Sequence, residues 1–172
     1  MKKIILTLFL LALIQSFSQE NIRVNEKVQI KITDWILNTP KDKNLENKYI
    51  VLEFWATWCN PCLKSVKHIN ELQSKFNRKD LYFISITDEK VEAVKSISKK
   101  IDFKSIVVSD QMKYNYFWKN GLKSLSLPLT ILIDNNGIIK WIGMPFILNE
   151  KIIQDLVDNK LDPYSMFEKP KI

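Results

Sequence analysis

Residues 53–62 of the chain are Glu53-Phe54-Trp55-Ala56-Thr57-Trp58-Cys59-Asn60-Pro61-Cys62. They include the only two cysteines of the sequence, three positions apart, where an apolar, strand-like run gives way to a helix-like pattern. Positions i and i+3 of a helix share one face, so the two sulfur atoms are predicted to lie within reach of a disulfide bond. We expect this pair to open and close with little movement of the fold.

The two cysteines are predicted to play different parts. Cys59 is placed where the chain enters a helix, facing free backbone N–H groups and the positive end of the helix dipole, which favour the thiolate. Cys59 is therefore the predicted nucleophile, and Cys62, one turn inside the helix, is predicted to attack the mixed disulfide and release the substrate. This exchange moves two electrons and needs neither a metal nor an organic cofactor. Pro61 suits the first turn, where a missing N–H costs little.

Glu53 is an acidic residue within an otherwise apolar segment. The run 49–55 is nearly continuous in apolar residues, which is typical of a strand covered on both faces. A carboxylate there is costly unless it is paired or protonated. In one interpretation Glu53 lies beneath the cysteines, has a raised pKa and transfers the proton of Cys62 during resolution. In the other it is a strand-end carboxylate that reaches water; the first is favoured because perturbed carboxylates cluster at functional sites.

Two segments carry a resemblance to a known family. Residues 54–62, FWATWCNPC, resemble the active-site motif of the thioredoxin superfamily, specifically its exported TlpA-like branch of thiol-disulfide oxidoreductases. Residues 126–134, SLPLTILID, resemble that family's cis-proline segment and the strand after it. The resemblance, over roughly residues 24–161, implies an α/β thioredoxin-like fold. Its central mixed sheet, a parallel βαβ unit followed by an antiparallel ββα unit, is flanked by helices and preceded by an N-terminal extension.

The resemblance also implies further site residues. In the family the proline faces the disulfide and the residue before it presents its backbone to the substrate chain, which assigns these roles to Pro128 and Leu127. Trp58 and Pro61 are implied at the same substrate-binding surface, and Glu53 falls on the family's buried acid position. The Leu-Pro-Leu sequence departs from the family's usual Gly, Val or Thr context, so we expect an altered preference for substrate shape.

Periodicity divides the chain into a signal peptide (1–18), an N-terminal extension (19–47), a thioredoxin-like domain (48–161) and a tail (162–172). Two short strands are predicted in the extension. The domain is predicted to contain helices at 61–78, 89–100 and after the capping residue Asn149, and strands at 49–55, 80–87, 105–108, 129–134 and 138–143. Asn135-Asn136-Gly137 is a hairpin turn signal between the last two strands.

The N-terminus predicts export. Residues 1–18 comprise a basic start with Lys2 and Lys3, an apolar run at 4–14 and small residues before the expected cleavage after Ser18. The run is short for a membrane anchor, so we expect a soluble periplasmic protein in a compartment where disulfides persist. An uncleaved segment that anchors the protein facing the periplasm is the alternative.

Composition and charge give little support to a nucleic-acid partner. The chain has 172 residues, three glycines, 46% hydrophobic residues, and 26 basic against 19 acidic side chains, a net charge of +7. Cleavage would lower the basic count from 26 to 24 and the charge to about +5. The lysines are scattered over polar helix faces, and export argues against nucleic acid.

We expect a monomer. The resemblance implies protein thiols and disulfides as substrates, apocytochromes before haem attachment among them, and a membrane thiol-disulfide protein as electron donor.

The cysteine pair has other interpretations. Half of a zinc site would need another pair of ligands, and the chain has one histidine, His68, on the polar face of its helix. An inert disulfide would close a loop too small to remove much unfolded-chain entropy. A copper chaperone would need wider cysteine spacing. The remaining alternatives are a thiol oxidase or isomerase, and a peptide- or metal-binding module without redox turnover. The aromatic segment 114–118 is predicted either to line a substrate groove or to pack on the core.

Overall fold

The apolar run before the cysteine pair forms a fully buried strand at the centre of the protein. A computed structural model describes residues 22–111 and 126–167. The strands are β1 (Asp34–Leu37), β2 (Tyr49–Phe54), β3 (Leu81–Thr87), β4 (Ile106–Ser109), β5 (Leu129–Ile133), β6 (Ile139–Gly143) and β7 (Tyr164–Ser165). The helices are α1 (Asn60–Ser74), α2 (Val91–Ser98), α3 (Glu150–Val157) and a 3-10 turn (Pro145–Ile147).

The described strands form one mixed sheet in the order β1-β4-β3-β2-β5-β6-β7. Strand β2 pairs in parallel with β3, and β3 in parallel with β4, while β2 with β5 and β5 with β6 are antiparallel. A parallel βαβ unit is thus followed by an antiparallel ββα unit, and the predicted thioredoxin-like fold is confirmed.

The two faces of β2 pack against different layers. Tyr49 and Val51 join α1 and α3 in one apolar cluster. Ile50, Leu52 and Phe54 belong to a cluster on the other face, against which side chains of the N-terminal residues pack. Since side chains alternate along a strand, Glu53 must lie on the helix-covered face with Tyr49 and Val51. The alternation therefore places this carboxyl group between the sheet and the helices.

Local signals in the sequence explain the ends of several elements. Asn149 caps α3, because its Oδ1 accepts the Ile152 N–H at 3.1 Å, as predicted. The hairpin between β5 and β6 turns at Gly137, whose φ of 80° a side chain would disfavour. Asp134 Oδ1 accepts the backbone N–H groups of Asn136 and Ile138, both at 2.9 Å, and so closes that turn.

Three predicted boundaries differ from the structure. Within residues 22–47, the described part of the N-terminal extension, only β1 is a strand, and the earlier alternating stretch makes a single bridge between Lys27 and Ile138. Helix α1 stops at Ser74 rather than near Arg78, and the N–H groups of Lys75 and Phe76 bond to the carbonyls three residues earlier, as in a tightened last turn. Within the predicted tail, Tyr164–Ser165 pairs with β6 and extends the sheet.

Two predictions fall outside the described residues. The signal segment 1–18 and the aromatic segment 114–118 belong to ranges for which the structure gives no description. In the ranges 22–111 and 126–167, no helix combines the length and the apolar character needed to cross a bilayer.

Candidate active site

The two cysteines lie at the N-terminus of α1 and are joined by a disulfide bond. Cys59 is the N-cap residue, and Pro61 stands in the first turn. The Cα atoms of Cys59 and Cys62 are 5.3 Å apart, the separation that one helical turn gives. The Cys62 N–H points at the Cys59 sulfur at 3.3 Å, so a backbone donor is aimed at the atom that would carry a thiolate charge.

Burial distinguishes the two sulfur-bearing residues. Cys59 keeps 4% of its surface exposed and Cys62 none, so Cys59 is the outer member of the pair. Both belong to an apolar cluster with Trp55 and Val66, which α2 covers through Val94. An approaching substrate can therefore reach Cys59 sooner than Cys62, the order that resolution by Cys62 requires.

Glu53 is buried among hydroxyl groups on the helix-covered face of the sheet. It is 2% exposed, so the alternative in which its carboxylate reaches water is wrong. Its Oε1 lies 2.6 Å from the Ser65 Oγ of α1, and its Oε2 lies 3.4 Å from the Ser85 Oγ of β3. Ser85 Oγ in turn lies 2.7 Å from Ser105 Oγ. The site thus holds the carboxyl group in a small, buried cluster of hydroxyl groups.

This environment raises the pKa of Glu53 from 4.5 to about 7. Burial is the main cause, because it penalises the charged form, while the hydrogen bonds from Ser65 and Ser85 oppose the shift by favouring the carboxylate. The group is therefore poised to gain or lose a proton close to neutral pH. A general acid or base works best when its pKa is near the operating pH.

Strand register brings Pro128 to the same end of the sheet as the disulfide. The Leu127–Pro128 peptide bond is cis, as the resemblance implied. Leu129, the next residue, pairs with Phe54 at the end of β2. Leu127 is partly buried and packs on the cluster that contains Cys59 and Cys62. Leu127 thus packs beside the cysteine pair, and Pro128 lies at the same end of the sheet.

Exposed apolar side chains surround this end of the sheet. Trp58, next to Cys59, is 75% exposed, and Pro61 is also exposed. Gly143 at the end of β6 pairs with Thr130, so the 3-10 turn that follows emerges at this same end, where it contacts α1. Its Phe146 and Ile147 are 53% and 47% exposed. Sequence reasoning missed these two residues, and their apolar character beside Pro145 was the available signal.

Sequence reasoning also missed Glu89, which holds the loop before Cys59. Its carboxylate accepts the Thr57 backbone N–H at 2.5 Å and the Thr57 hydroxyl at 2.7 Å. The sequence pattern assigned Glu89 to the start of a helix, but α2 begins at Val91 and leaves the carboxylate free to bind this loop. Glu89 therefore holds in place the segment that leads into Cys59, although 32 residues of sequence separate it from Thr57.

His68 has a structural contact. Its Nε2 lies 2.8 Å from the Leu148 carbonyl oxygen, so it links α1 to the segment after the 3-10 turn. Within the part of the chain that the structure describes, no three His, Cys, Asp or Glu side chains are grouped as metal ligands would be.

Comparison with known proteins finds a matching family and several relatives of this chain. The AhpC/TSA family matches residues 25–142. The thiol-disulfide oxidoreductase ResA of Bacillus cereus is 32% identical over 129 residues, 71% of this chain and 64% of ResA. A ResA from Bacillus thuringiensis is 36% identical over 101 residues, 55% of this chain and 54% of the relative. The chain thus spans between about half and two thirds of the length of these relatives.

Solved structures share the fold at lower identity. A thiol-disulfide isomerase from Corynebacterium glutamicum has a TM-score of 0.61 and 17% identity over 80% of this chain and 96% of the other. A thiol:disulfide interchange protein of the thioredoxin family from Chlorobium tepidum has a TM-score of 0.58 and 18% identity over 81% and 97%. These similarities support the thioredoxin-like architecture derived above.

Proposed function

Because the chain belongs to the AhpC/TSA family of the thioredoxin superfamily, we propose that it is a thiol-disulfide oxidoreductase that reduces disulfides in exported proteins. The observation that carries the proposal is the disulfide between Cys59 and Cys62 at a helix N-terminus, with a backbone N–H aimed at the outer sulfur. Reduction of insulin disulfides by the protein, measured with and without Cys59, tests it.

The reaction begins from the reduced pair. The Cys59 thiolate attacks one sulfur of the substrate disulfide, the substrate S–S bond breaks, and one substrate thiolate leaves and is protonated. The Cys62 thiol then loses its proton and attacks the Cys59 sulfur, which restores the Cys59–Cys62 disulfide and releases the second substrate thiol. Two electrons and two protons pass to the substrate, and a dithiol donor must reduce the protein again.

Glu53 is proposed to accept the Cys62 proton in the second step. Its carboxyl group is buried on the face of the sheet that α1 covers, and its pKa of about 7 lets it exchange a proton near neutral pH. Ser65 links Glu53 to the helix turn that carries Cys62, because its hydroxyl lies within hydrogen-bond distance of both Glu53 and the Cys62 backbone carbonyl oxygen.

Location and partners follow from this chemistry. The signal-like segment supports export to the periplasm, where disulfides form and a membrane thiol-disulfide protein is the proposed electron donor. Apocytochromes before haem attachment are one class of exported substrate with suitable cysteines. The apolar side chains beside Cys59 favour a polypeptide substrate over a small polar thiol.

The redox potential distinguishes a reductase from an oxidase. We expect equilibration with glutathione buffers to give a potential near that of thioredoxin, about −270 mV. Trp55 packs with both cysteines, and its ring lies tilted against that of Phe103 with the centroids 4.9 Å apart, so we expect it to supply a fluorescence signal. Trp58→Phe removes the contribution of the exposed tryptophan next to Cys59, and the tryptophans at 35, 118 and 141 are the same in both proteins. A potential near about −120 mV would instead support the oxidase direction.

The exposed residue Phe146 is expected to bind substrate. Phe146→Ala should lower kcat/KM for a protein disulfide roughly fivefold, since it removes about 1 kcal/mol of apolar contact. The rate with a small-molecule disulfide should not change. Tyr164→Ala, which removes a 50% exposed aromatic from edge strand β7, is the matched control. Phe146 would not belong to the binding surface if the two variants lost kcat/KM equally, or if Phe146→Ala lowered kcat/KM for both the protein disulfide and the small-molecule disulfide.

A further inference from the structure

The Ser65 hydroxyl connects the buried acid to the helix turn that carries Cys62. Ser65 is completely buried on α1, three residues after Cys62. Its Oγ lies 2.6 Å from Glu53 Oε1 and 2.7 Å from the Cys62 carbonyl oxygen. Both separations are within the range of good O–H···O hydrogen bonds, so both contacts need a proton.

The number of available protons determines which groups can donate in the two contacts at the same time. A serine hydroxyl has one proton, and the Cys62 carbonyl can only accept. When Ser65 donates to Cys62, the contact with Glu53 needs a proton from the carboxyl group itself. A neutral Glu53 supplies it, so the chain of donors runs from Glu53 through Ser65 to Cys62. An ionised Glu53 has no proton to give, and Ser65 must then turn its own toward the carboxylate.

The other neighbours of Glu53 cannot take the place of Ser65. Register places Ser85 of β3 and Thr130 of β5 on either side of Glu53. Ser85 is more distant, at 3.4 Å, and is also engaged with Ser105 at 2.7 Å. The buried Thr130 Oγ1 makes no hydrogen bond to Glu53 or to any other described residue. In the described part of the chain, the pKa of Glu53 responds to burial, Ser65 and Ser85, and not to any charged side chain.

We propose that Ser65 is a positioning residue whose hydroxyl switches between the Cys62 carbonyl and the Glu53 carboxylate as Glu53 gains and loses its proton. The switch couples the charge of the acid to the first turn of α1. The inference rests on the proposed function, in which Glu53 exchanges a proton with Cys62. Each time Glu53 takes up a proton, the Ser65 hydroxyl again donates to the Cys62 carbonyl, in the turn that holds the resolving cysteine.

Carbon-13 NMR of the oxidised protein tests the switch without turnover. Across a pH series, the Glu53 side-chain carboxyl resonance and the Cys62 backbone carbonyl resonance are expected to titrate with one midpoint in the wild type. In Ser65→Ala the Glu53 midpoint should rise by about one pH unit, because a hydrogen bond that favours the carboxylate is lost. The Cys62 carbonyl should lose most of its titration amplitude.

Two variants serve as controls for a general disturbance of the core. Ser85→Ala removes the longer contact and should keep the joint titration of Glu53 and the Cys62 carbonyl. Ser65→Thr keeps a hydroxyl and should restore both the midpoint and the amplitude. Two results in Ser65→Ala would overturn the switch. One is a Cys62 carbonyl resonance that still titrates with full amplitude, and the other is an unchanged Glu53 midpoint. Because these spectra need no substrate, a wild-type protein that fails to reduce insulin would refute the proposed function separately.

Discussion

Cys59→Ala is expected to abolish disulfide reduction, lowering the rate by more than about a thousandfold. The nucleophile is lost, and Cys62 cannot replace it because none of its surface is exposed. The insulin assay with a dithiol donor measures this loss. Near-UV circular dichroism of the variant checks that Trp55 and its neighbours keep their packing.

Cys62→Ala is the matched variant and should fail in a different way. Cys59 keeps its place as the N-cap of α1, so it still attacks, but no thiol resolves the mixed disulfide. The variant should therefore accumulate one covalently attached substrate per molecule, detectable by mass spectrometry at Cys59. Insulin reduction that survives the loss of Cys59 would end the enzyme interpretation. A substrate trapped on Cys62 in Cys59→Ala would contradict the assignment of Cys59 as the nucleophile.

Glu53→Gln is expected to make the free energy of unfolding less dependent on pH. In the wild type, Glu53 should lower that free energy by about 3 kcal/mol as the pH rises from about 4.5 to about 7, and the variant should not show this loss. In that window the unfolded chain has released the Glu53 proton and the native protein keeps it. The free energy of unfolding is therefore highest below about 4.5, falls across the window and levels off above about 7. Glutamine cannot ionise, so its contribution does not change with pH.

Urea unfolding of the oxidised wild type and variant at several pH values measures this effect. The difference between the two proteins isolates Glu53 from the other carboxyl groups. Glu71→Gln, at a position of α1 where the side chain is 61% exposed, controls for the change in formal charge. A difference between wild type and Glu53→Gln that is constant with pH would show that Glu53 ionises as it does in the unfolded chain.

The same variant reports on catalysis. Glu53→Gln should slow resolution by Cys62, because glutamine cannot accept a proton, and should leave the first attack by Cys59 less affected. Rapid-mixing measurements of mixed-disulfide formation and decay separate the two steps. A decay rate that matches the wild type across pH would leave Glu53 with a structural role only.

Local patterns were sufficient to predict the centre of the fold. The apolar run of β2, the three-residue cysteine spacing, the Asn-Gly turn and the Asn149 cap each act within a few residues, and each is present in the structure. The pairing of β1 with β4 and of β7 with β6 depends on contacts between distant segments, which periodicity does not reveal.

The site was predicted less completely than the fold. The sequence identified Glu53 because a carboxylate interrupts an apolar strand. Ser65 lies in an ordinary helical pattern and Glu89 at an expected helix start, so neither differs from a surface residue in the sequence. Their roles arise only when the sheet brings Glu53 under α1 and the end of β3 beside Thr57.

Alkylation of the reduced protein across a pH series tests the central claim most directly, which is that the N-terminus of α1 makes Cys59 the ionised, attacking sulfur. Peptide mapping after brief exposure to iodoacetamide assigns the rate to each cysteine. The account predicts that Cys59 reacts first, with a midpoint well below the free-thiol pKa of about 8.5, while Cys62 stays protected in the native protein. A Cys59 midpoint at about 8.5, or faster labelling of Cys62, would contradict it.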